Sequence, residues 1–362
     1  MFIKKIILKD FRNYSDSEID FSARLVFLTG NNGQGKTNIL EAVQMFSILK
    51  SFRENSDEEL IRWNSDTFYT ACILQSENRE KRLEIGYSKK KKKKFKINGE
   101  EIHRKTEFIG EFLTVLFSPS DLKIIEGGPA DRRKFLDSVL CASDRNYLQS
   151  LLEYNKLLKQ KNAALKAGDR NFRELNIWDK MLSQRIVSIS QTRNAALQKI
   201  KKSFQEAVGR ISGNQDVFDI QYIPNISLDQ NPEEILMRKR DIDLRVGHST
   251  AGIHRDEIFI GKDGMDLLAF ASQGQKRTAV LSLKGSQIQF LKDRSGEDPI
   301  LLIDDVIREL DASRREYFID LILSSGQTIF TSTDLEGIED YIKKLGERTQ
   351  IFHIENGKVR SV

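Results

Sequence analysis

The chain has 362 residues and a mass of 41.7 kDa, a length that predicts two domains or one large domain with an insertion. With 39% hydrophobic and 31% charged residues and no apolar run of about 18 to 20 residues, it has the composition of a soluble globular protein without a membrane span. Two distant cysteines and four scattered histidines make no zinc-binding pattern, and the lack of a signal-peptide core predicts a cytoplasmic location.

The formal net charge of +5 depends on one short segment. The lysines at 89–94 and Lys96 supply seven of the 58 basic residues, and the remaining 51 are outnumbered by 53 acidic ones, a net of −2. The run is predicted to lie in the rim of a hairpin. It is either a solvated loop or a contact for the phosphate backbone of nucleic acid.

The N-terminal part predicts β-strands around a loop and one helix. The first 28 residues contain short apolar clusters separated by turn residues. A loop rich in Gly and Asn at 30–35 precedes a helix predicted from Thr37 to about Phe46. Residues 67–98 predict several more strands, which end at an Asn98-Gly99 hairpin turn.

The middle of the chain predicts a helical arm. Residues 130–223 contain no proline, and apolar residues recur at helical spacing over 147–165 and 178–208, with a break at 167–169. We interpret these runs as an antiparallel helical hairpin inserted into an α/β domain; an ordinary helical subdomain is the alternative. Polar residues 225–250 predict a connector.

The C-terminal part returns to an α/β pattern. A helix is predicted to run from the segment at 272–275 to about Leu291, and continuous apolar runs at 299–303 and 327–331 are typical of buried parallel strands. The predicted organisation has three parts. Residues 1–140 and 241–362 form the two portions of an α/β head, and residues 141–240 form the helical arm.

A phosphate-binding loop is the strongest motif, because residues 30–37 match GxxxxGK[ST] between a predicted strand and a predicted helix. Backbone amides and the helix N-terminus would bind phosphate oxygens, Lys36 would bridge the β- and γ-phosphates, and the Thr37 hydroxyl would bind Mg²⁺. The motif therefore predicts ATP and Mg²⁺ as cofactors. The predicted nucleotide-binding residues of this loop are Gly30, Asn31, Asn32, Gly33, Gln34, Gly35, Lys36 and Thr37.

A second motif, at 300–305, is an apolar strand that ends in two carboxylates, as in a Walker B segment. Asp304 is predicted to hold Mg²⁺ through water, and Asp305 to orient or deprotonate the attacking water. Lys36 and Asp305 are thus the predicted catalytic residues, and Thr37 and Asp304 the predicted metal ligands. The separation of about 270 residues from the phosphate-binding loop is unlike that of small kinases or GTPases.

A third motif, Ser272-Gln273-Gly274-Gln275, has the position and residue types of an ABC signature loop. Such a loop completes the nucleotide site of a partner, so ATP would join two copies head to tail. Ser272, Gly274 and Gln275 are accordingly predicted to bind nucleotide, and Asp311, in a segment that fits the D-loop of such a dimer, joins them. Ser272 as an ordinary helix cap is the alternative.

Further segments carry a family resemblance that is collinear over nearly the whole chain. They are Phe11-Arg12-Asn13-Tyr14 and the residues at 38–42, 117–119, 129–137, 252–256 and 272–275. Together these segments closely resemble the RecF family, the bacterial recombination-mediator ATPases of the SMC-like branch of ABC ATPases. The resemblance implies an α/β fold, an ABC/SMC-type P-loop ATPase head with an inserted short helical hairpin. It also implies nucleotide-binding roles for Arg12 and Asn13.

The resemblance also implies a function. It points to an ATP-dependent DNA-binding protein of replication, recombinational repair and SOS induction, with ATP-driven dimerisation on DNA and slow, DNA-stimulated hydrolysis. The implied partners are single-stranded, duplex or gapped DNA, RecO and RecR, and indirectly RecA, in the bacterial nucleoid. The alternatives are the ATPase subunit of a transporter, another SMC-like DNA clamp, a small-molecule P-loop kinase and a non-enzymatic DNA scaffold.

Several residues keep two interpretations. Arg12 lies near the nucleotide or forms an ion pair in a hairpin, and His254-Arg255-Asp256 is a structural hydrogen-bond cluster or a catalytic one. Arg132 and Arg133 contact DNA phosphates, support the dimer or belong to a solvated first helical turn. The predicted DNA-binding residues are Lys89, Lys90, Lys91, Lys92, Lys93, Lys94, Arg132 and Arg133.

Overall fold

A computed structural model describes residues 1–53, 56–76, 79–168, 172–333 and 349–362. The chain forms two compact units, the first made of Met1–Asp121 with Gln287–Val362 and the second of Leu122–Ser286. The predicted arm at 141–240 lies inside the second unit, which extends beyond it at both ends. The division into three parts stays a prediction.

The first unit contains two sheets among its described residues. The strands are β1 (Phe2–Phe11), β2 (Tyr14–Asp20), β3 (Leu25–Thr29), β4 (Thr67–Ser76), β5 (Arg79–Ser88), β6 (Lys91–Ile97), β7 (Glu100–Ile102), β8 (Thr114–Phe117), β12 (Ile300–Asp304), β13 (Thr328–Ser332), β14 (Thr349–Glu355) and β15 (Lys358–Ser361). One sheet is antiparallel, with the strand order β2-β1-β4-β5-β6-β7. The other has the order β15-β14-β3-β13-β12-β8 and is parallel except at β15. The helices are α1 (Lys36–Ile48), α2 (Lys105–Phe108) and α10 (Ala312–Leu323).

The parallel sheet brings distant parts of the sequence to one edge. Strands β12 and β13 are buried along their apolar runs and pair in parallel, so the prediction of buried parallel strands is confirmed. Strand β3, which is also buried, pairs with the other side of β13. Phe27 and Phe330 stack across this region with ring centroids 4.7 Å apart. Because parallel strands end at the same edge, the loop after β3 meets the residues at the ends of β12 and β13.

The antiparallel sheet confirms the strands predicted over 67–98 and changes the account of the lysine run. Lys89 and Lys90 form the turn, whereas the lysines from Lys91 onward lie in β6. Phe95 of this strand is buried, and Ile85 lies opposite it in β5. The prediction of a hairpin rim is therefore wrong for residues 91–94, which lie in β6, a strand that pairs with β5 and turns Phe95 inward.

The second unit is mainly helical. Its helices are α3 (Lys123–Glu126), α4 (Pro129–Ser143), α5 (Arg145–Lys166), α6 (Phe172–Ser212), α7 (Pro232–Val246) and α8 (Leu267–Phe270), and α9 (Gln273–Ser295) begins here and ends in the first unit. Its strands β9 (Asp219–Ile223), β10 (Glu257–Lys262) and β11 (Met265–Asp266) form an antiparallel sheet with the order β11-β10-β9. Among the described residues, no helix is both long enough and apolar enough to cross a bilayer.

Helices α5 and α6 form the predicted hairpin. They pack together along an apolar stripe and are joined by the short segment 167–171, so they run antiparallel. Helix α7 packs against both. The connector predicted over 225–250 is thus wrong, because it contains a 15-residue helix. Asn231 caps this helix, Pro232 opens it and Gly247 ends it in the left-handed region.

Buried charges attach α7 to the hairpin. Lys161 is fully buried, with its Nζ 2.8 Å from Oδ1 of Asp179 and 3.4 Å from Oδ2 of Asp243. Arg240 contacts the other oxygen of Asp179 at 2.5 Å. A buried charge is tolerated where opposite charges surround it. The polar sequence of α7 therefore folds against the hairpin although it has no wide apolar face.

Candidate nucleotide-binding site

The loop between β3 and α1 depends on glycine. Gly30, Gly33 and Gly35 have φ values of 136°, 79° and 117°, which L-residues rarely adopt. A Cβ on Gly30 would lie 2.3 Å from the carbonyl oxygen of Ile354, and one on Gly35 would lie 2.6 Å from the Asn13 amide. The glycines therefore permit both the turn and its close packing.

Neighbouring turns hold the loop in this conformation. The Asn13 amide donates to the Gln34 carbonyl at 2.8 Å, and the Tyr14 hydroxyl donates to the Gly35 carbonyl at 3.0 Å. In the β14–β15 turn, the backbone N–H of Asn356 donates to the side-chain Oε1 of Gln34 at 2.7 Å. Asn13, predicted as a nucleotide ligand, is thus seen to support the loop that would bind phosphate. The nucleotide contacts predicted for Asn13 and Gln34 stay predictions.

Lys36 begins α1 and its side chain curls back over the loop. Its ammonium donates to the carbonyls of Gly30 at 2.5 Å and Asn31 at 2.9 Å, and the residue is only 7% exposed. The positive charge is therefore held at the mouth of the loop, beside the N-terminus of the helix. Both attract phosphate.

The Walker B strand meets the loop through Asp304. Its Oδ1 accepts hydrogen bonds from the hydroxyls of Thr37 and Thr331, each at 2.8 Å. Thr37 and Asp304 thus place two hard oxygens beside the loop, a donor set that suits Mg²⁺ completed by water and phosphate. Thr331 was missed by the sequence analysis. Thr331 lies at the end of β13, and it can be assigned to the site only when β13 is known to pair with β12 in the sheet.

Asp305 adopts the left-handed region, with φ 53°. This conformation is uncommon outside glycine, and asparagine and aspartate tolerate it best. It places Asp305 in the lining of a cavity of about 250 Å³ that Lys36, Thr37, Asp304 and Thr331 also line. The Asp305 carboxylate thus lies beside Thr37 and Asp304, the predicted magnesium ligands, and its predicted role toward the attacking water stays a prediction.

Arg12 forms a buried ion pair with helix α1. Its guanidinium donates to both carboxylate oxygens of Glu41 at 2.8 Å and to the Glu59 carbonyl at 2.8 Å, and Glu41 also accepts from Ser51. Arg12 is therefore a hairpin residue that forms an ion pair, as one interpretation predicted, although its partner lies on a helix. Arg12 still lines a second cavity, next to the phosphate-binding loop. Its contact with nucleotide stays a prediction.

The signature segment caps helix α9. The Ser272 hydroxyl accepts from the Gln275 amide at 3.2 Å, and the Gln275 side chain accepts from the Ser272 amide at 3.0 Å. This reciprocal capping box corresponds to the helix-cap alternative. Ser272 remains exposed. Asp311 is also an N-cap residue, at the start of α10. The action of Ser272, Gly274, Gln275 and Asp311 on a partner's nucleotide stays a prediction.

The two predicted arginines of α4 are held within the second unit. Arg132 is 4% exposed and pairs with Asp266 at 2.9 Å and Glu257 at 3.2 Å. Arg133 donates to the Asp256 carbonyl at 2.7 Å. The alternative of a solvated first helical turn is therefore wrong for Arg132, since burial removes its charge from the surface.

The lysines of the run differ in their surroundings. The Lys93 side chain is 8% exposed, is paired with Asp57 and donates to the Leu49 carbonyl at 3.1 Å. Burial lowers the pKa of Lys93, although Asp57 opposes that shift. Lys89, Lys90, Lys91, Lys94 and Lys96 are exposed. These five remain suitable for contact with phosphate, whereas Lys93 is committed to the fold.

His254 and Asp256 belong to a buried hydrogen-bond network, as the structural interpretation predicted. Asp256 accepts from Arg193 at 2.7 Å and from the Tyr222 hydroxyl at 2.5 Å. The His254 Nε2 faces the Ser249 carbonyl at 3.0 Å, and its Nδ1 lies 2.6 Å from the Tyr154 hydroxyl. Because a carbonyl only accepts, Nε2 carries the proton and Nδ1 accepts from Tyr154.

Comparison with known proteins identifies the family. A profile described as the RecF/RecN/SMC N terminal domain matches residues 2–358. The DNA replication and repair protein RecF of Leptospira interrogans is 46% identical over 364 residues, which cover 100% of both chains. The chain belongs to the RecF family. The prediction from the motifs is thereby confirmed.

Solved structures support the same assignment. A structure described as the recombination mediator protein RecF with ATP in the RecFOR pathway is 33% identical, with a TM-score of 0.91, and covers 100% of this chain and 97% of that one. The Smc head domain of Pyrococcus furiosus is 17% identical, with a TM-score of 0.57 over 100% of this chain and 96% of that one. The second likeness concerns the fold alone. The predicted ABC/SMC-type ATPase head is confirmed.

Proposed function

We propose that this chain is an ATP-dependent DNA-binding protein of DNA replication and recombinational repair, active in the SOS response, that dimerises on DNA when it binds ATP. The observation that carries the proposal is the contact between Thr37 and Asp304, which joins the phosphate-binding loop to the Walker B strand across 267 residues of sequence. Full-length similarity to RecF proteins supports it.

The chain's own residues account for nucleotide binding. Backbone amides of the loop and the N-terminus of α1 bind phosphate oxygens, and Lys36 exchanges its two loop carbonyls for phosphate. Thr37 and Asp304 would hold Mg²⁺, and the bound ion would supply charge neutralisation at the phosphates. Asp305 orients the attacking water and accepts its proton. We expect slow turnover, stimulated by DNA, because the primary role is binding.

Dimerisation follows from the position of the signature segment. In the proposed dimer, the exposed N-terminus of α9 at Ser272 approaches the nucleotide bound by the partner copy, and Asp311 lies at the same interface. Backbone amides at a helix N-terminus bind anions, so this site would bind a nucleotide with a γ-phosphate more tightly than one without it. ATP would therefore join two copies, and hydrolysis would release them.

The proposed DNA partner is single-stranded, duplex or gapped DNA, bound through the phosphate backbone by exposed lysines. We infer that RecO and RecR act with this chain at single-strand gaps to load RecA, and that it works at the bacterial nucleoid in the cytoplasm. The support is the description of the ATP-bound relative as a recombination mediator in the RecFOR pathway.

The proposal is tested by the mass in solution. Light scattering with ATP and Mg²⁺ should show the wild-type chain moving from 41.7 kDa to about twice that mass, and further association on gapped DNA. Lys36→Ala should stay at the monomer mass, because the loop loses the cation that holds the phosphates. Normal ATP-dependent dimerisation by Lys36→Ala would refute the proposal.

A further inference from the structure

A second cavity adjoins the phosphate-binding loop and has no role in the account so far. It measures about 550 Å³ and shares Asn38 and Arg53 with the cavity that contains Lys36 and Asp304. Its other lining residues include Arg12, Ile61 and Trp63. The two cavities therefore adjoin at Asn38 and Arg53.

The most distinctive side chain of the cavity is Trp63, whose indole ring is exposed to solvent. Its exposed fraction is 89%, the highest among the large apolar side chains of the described residues. The indole is also shared with an adjoining cavity of about 430 Å³. A tryptophan is rarely left so exposed without a ligand or partner, since it forgoes the burial of a large apolar surface.

The backbone around Trp63 is fixed although its ring is free to solvent. The Arg62 amide donates to the Asp10 carbonyl at 2.8 Å, and the Arg12 amide donates to the Leu60 carbonyl at 2.8 Å. The Arg62 guanidinium pairs with the Asp10 carboxylate at 2.7 Å. Asn64 then turns the chain in the left-handed region. The ring thus stands on a rigid support beside the loop, as a binding platform requires.

The polar groups of the cavity suit an uncharged heterocycle. Arg12 and Arg62 are each paired with a carboxylate, Glu41 and Asp10 respectively, so their charges are largely neutralised. Asn38 and Asn13 add side-chain amides, which both donate and accept hydrogen bonds. A flat aromatic surface with amides at its edge matches a nucleobase and its ribose. Arg53, an exposed cation of the lining, lies on the side that is shared with the phosphate-loop cavity, where the phosphates would lie.

We propose that Trp63 stacks on the base of the nucleotide whose phosphates bind at Lys36 and that the 550 Å³ cavity is its base and ribose site. The proposal rests on the proposed function and adds the residue that holds the base. Stacking of a base on an aromatic side chain changes affinity by roughly five- to 150-fold on alanine substitution. Trp63 thereby favours a nucleotide over inorganic polyphosphate.

The experiment uses the two tryptophans of the chain, Trp63 and Trp178. In the full-length Trp178→Phe variant, Trp63 is the one fluorescent indole. We expect its emission to be quenched on titration with ATP and to stay nearly constant with inorganic tripolyphosphate, because only ATP carries a base. Trp63→Phe retains Trp178 and should show no such quenching, which makes it the matched control.

Affinity supplies the second measurement. Calorimetric titration with ATP should show affinity weakened about tenfold in Trp63→Ala and nearly unchanged in Trp63→Phe, which keeps an aromatic ring. Affinity for tripolyphosphate should be equal in all three proteins. Equal ATP affinity in Trp63→Ala and the wild type, or no quenching by ATP in Trp178→Phe, would overturn the proposal for Trp63. Failure of the wild-type chain to bind ATP at all would instead overturn the proposed function.

Discussion

Two adjacent carboxylates at the end of β12 have different surroundings. Asp304 accepts two hydroxyl hydrogen bonds and so faces the loop and the strand β13. Asp305 leaves the strand in the left-handed region and lines the cavity. This difference supports the two proposed roles, metal ligand for Asp304 and orientation of the attacking water for Asp305. One backbone turn thus gives two chemically identical side chains different surroundings.

His254 lies in a network that favours its neutral form. Burial lowers its pKa to about 4, and the charges of Arg255 and Arg133 act in the same direction. In the unfolded chain the pKa is about 6.5, so the unfolded state binds the proton first as pH falls. The stabilisation is complete above pH 6.5 and is lost progressively between pH 6.5 and pH 4.

This residue gives a prediction for the pH dependence of stability. Between pH 7.5 and pH 5 the free energy of unfolding should fall by about 2 kcal/mol more in the wild type than in His254→Gln, which does not titrate. Urea unfolding at the two pH values measures the difference. The exposed His248 provides the control, since His248→Gln should behave as the wild type. An equal loss in His254→Gln would show that His254 does not carry the effect.

At the scale of elements, strand β6 is the best candidate for DNA contact. Lys94 and Lys96 are exposed and alternate with buried Phe95, so they face solvent on the same side of the sheet. Lys94 also contacts Glu101 at 2.9 Å, an exposed pair of small energetic value that phosphate can replace. The charge of this strand is thus presented in a fixed row.

The salt dependence of DNA binding tests this strand. Replacing Lys94 and Lys96 by glutamine should weaken duplex binding and reduce the slope of log affinity against log salt by up to about 0.9 per lost phosphate contact. ATP affinity should not change. Replacing the exposed Lys4 and Lys9 of β1 removes the same charge from the same sheet and should have little effect. Equal effects of the two double variants would mean that the DNA surface lies elsewhere.

Elements were predictable where one local pattern determined them. The strand before the phosphate-binding loop, the helix after it and the helical hairpin all follow from apolar spacing or motif context. Helix α7 did not, because its buried face includes Arg240 and Asp243, which a hydrophobic pattern counts as surface. The helix could have been predicted from Asn231 and Pro232 at its start and Gly247 at its end, which are typical capping residues.

Residues of the site were predictable only as far as the motifs extended. The sequence could place four residues in one site, because a phosphate-binding loop and a Walker B strand occur together in P-loop ATPases. These residues are Lys36, Thr37, Asp304 and Asp305. Thr331 could not, since its contact with Asp304 depends on the order of strands in the sheet. Trp63 could not either, because an isolated tryptophan outside any motif has no signal until its exposure and its cavity are known.

At the scale of the whole molecule, the proposed catalytic cycle requires two copies. The phosphate-binding loop belongs to the first unit and Ser272 to the second, and the proposal assigns each Ser272 to the nucleotide of the partner copy. In such a dimer two composite nucleotide sites form, each with a loop from one chain and a signature segment from the other. Assembly and ATP binding are then the same event.

Mixing two inactive variants tests this arrangement most directly. Lys36→Ala has a defective loop and an intact signature segment, and Ser272→Arg has the reverse, so a dimer of the two retains one intact composite site. Light scattering with ATP should show each variant alone at 41.7 kDa and the equimolar mixture forming a species of about twice that mass. A mixture that stays monomeric while the wild type dimerises, or a Ser272→Arg variant that dimerises alone, would contradict the account.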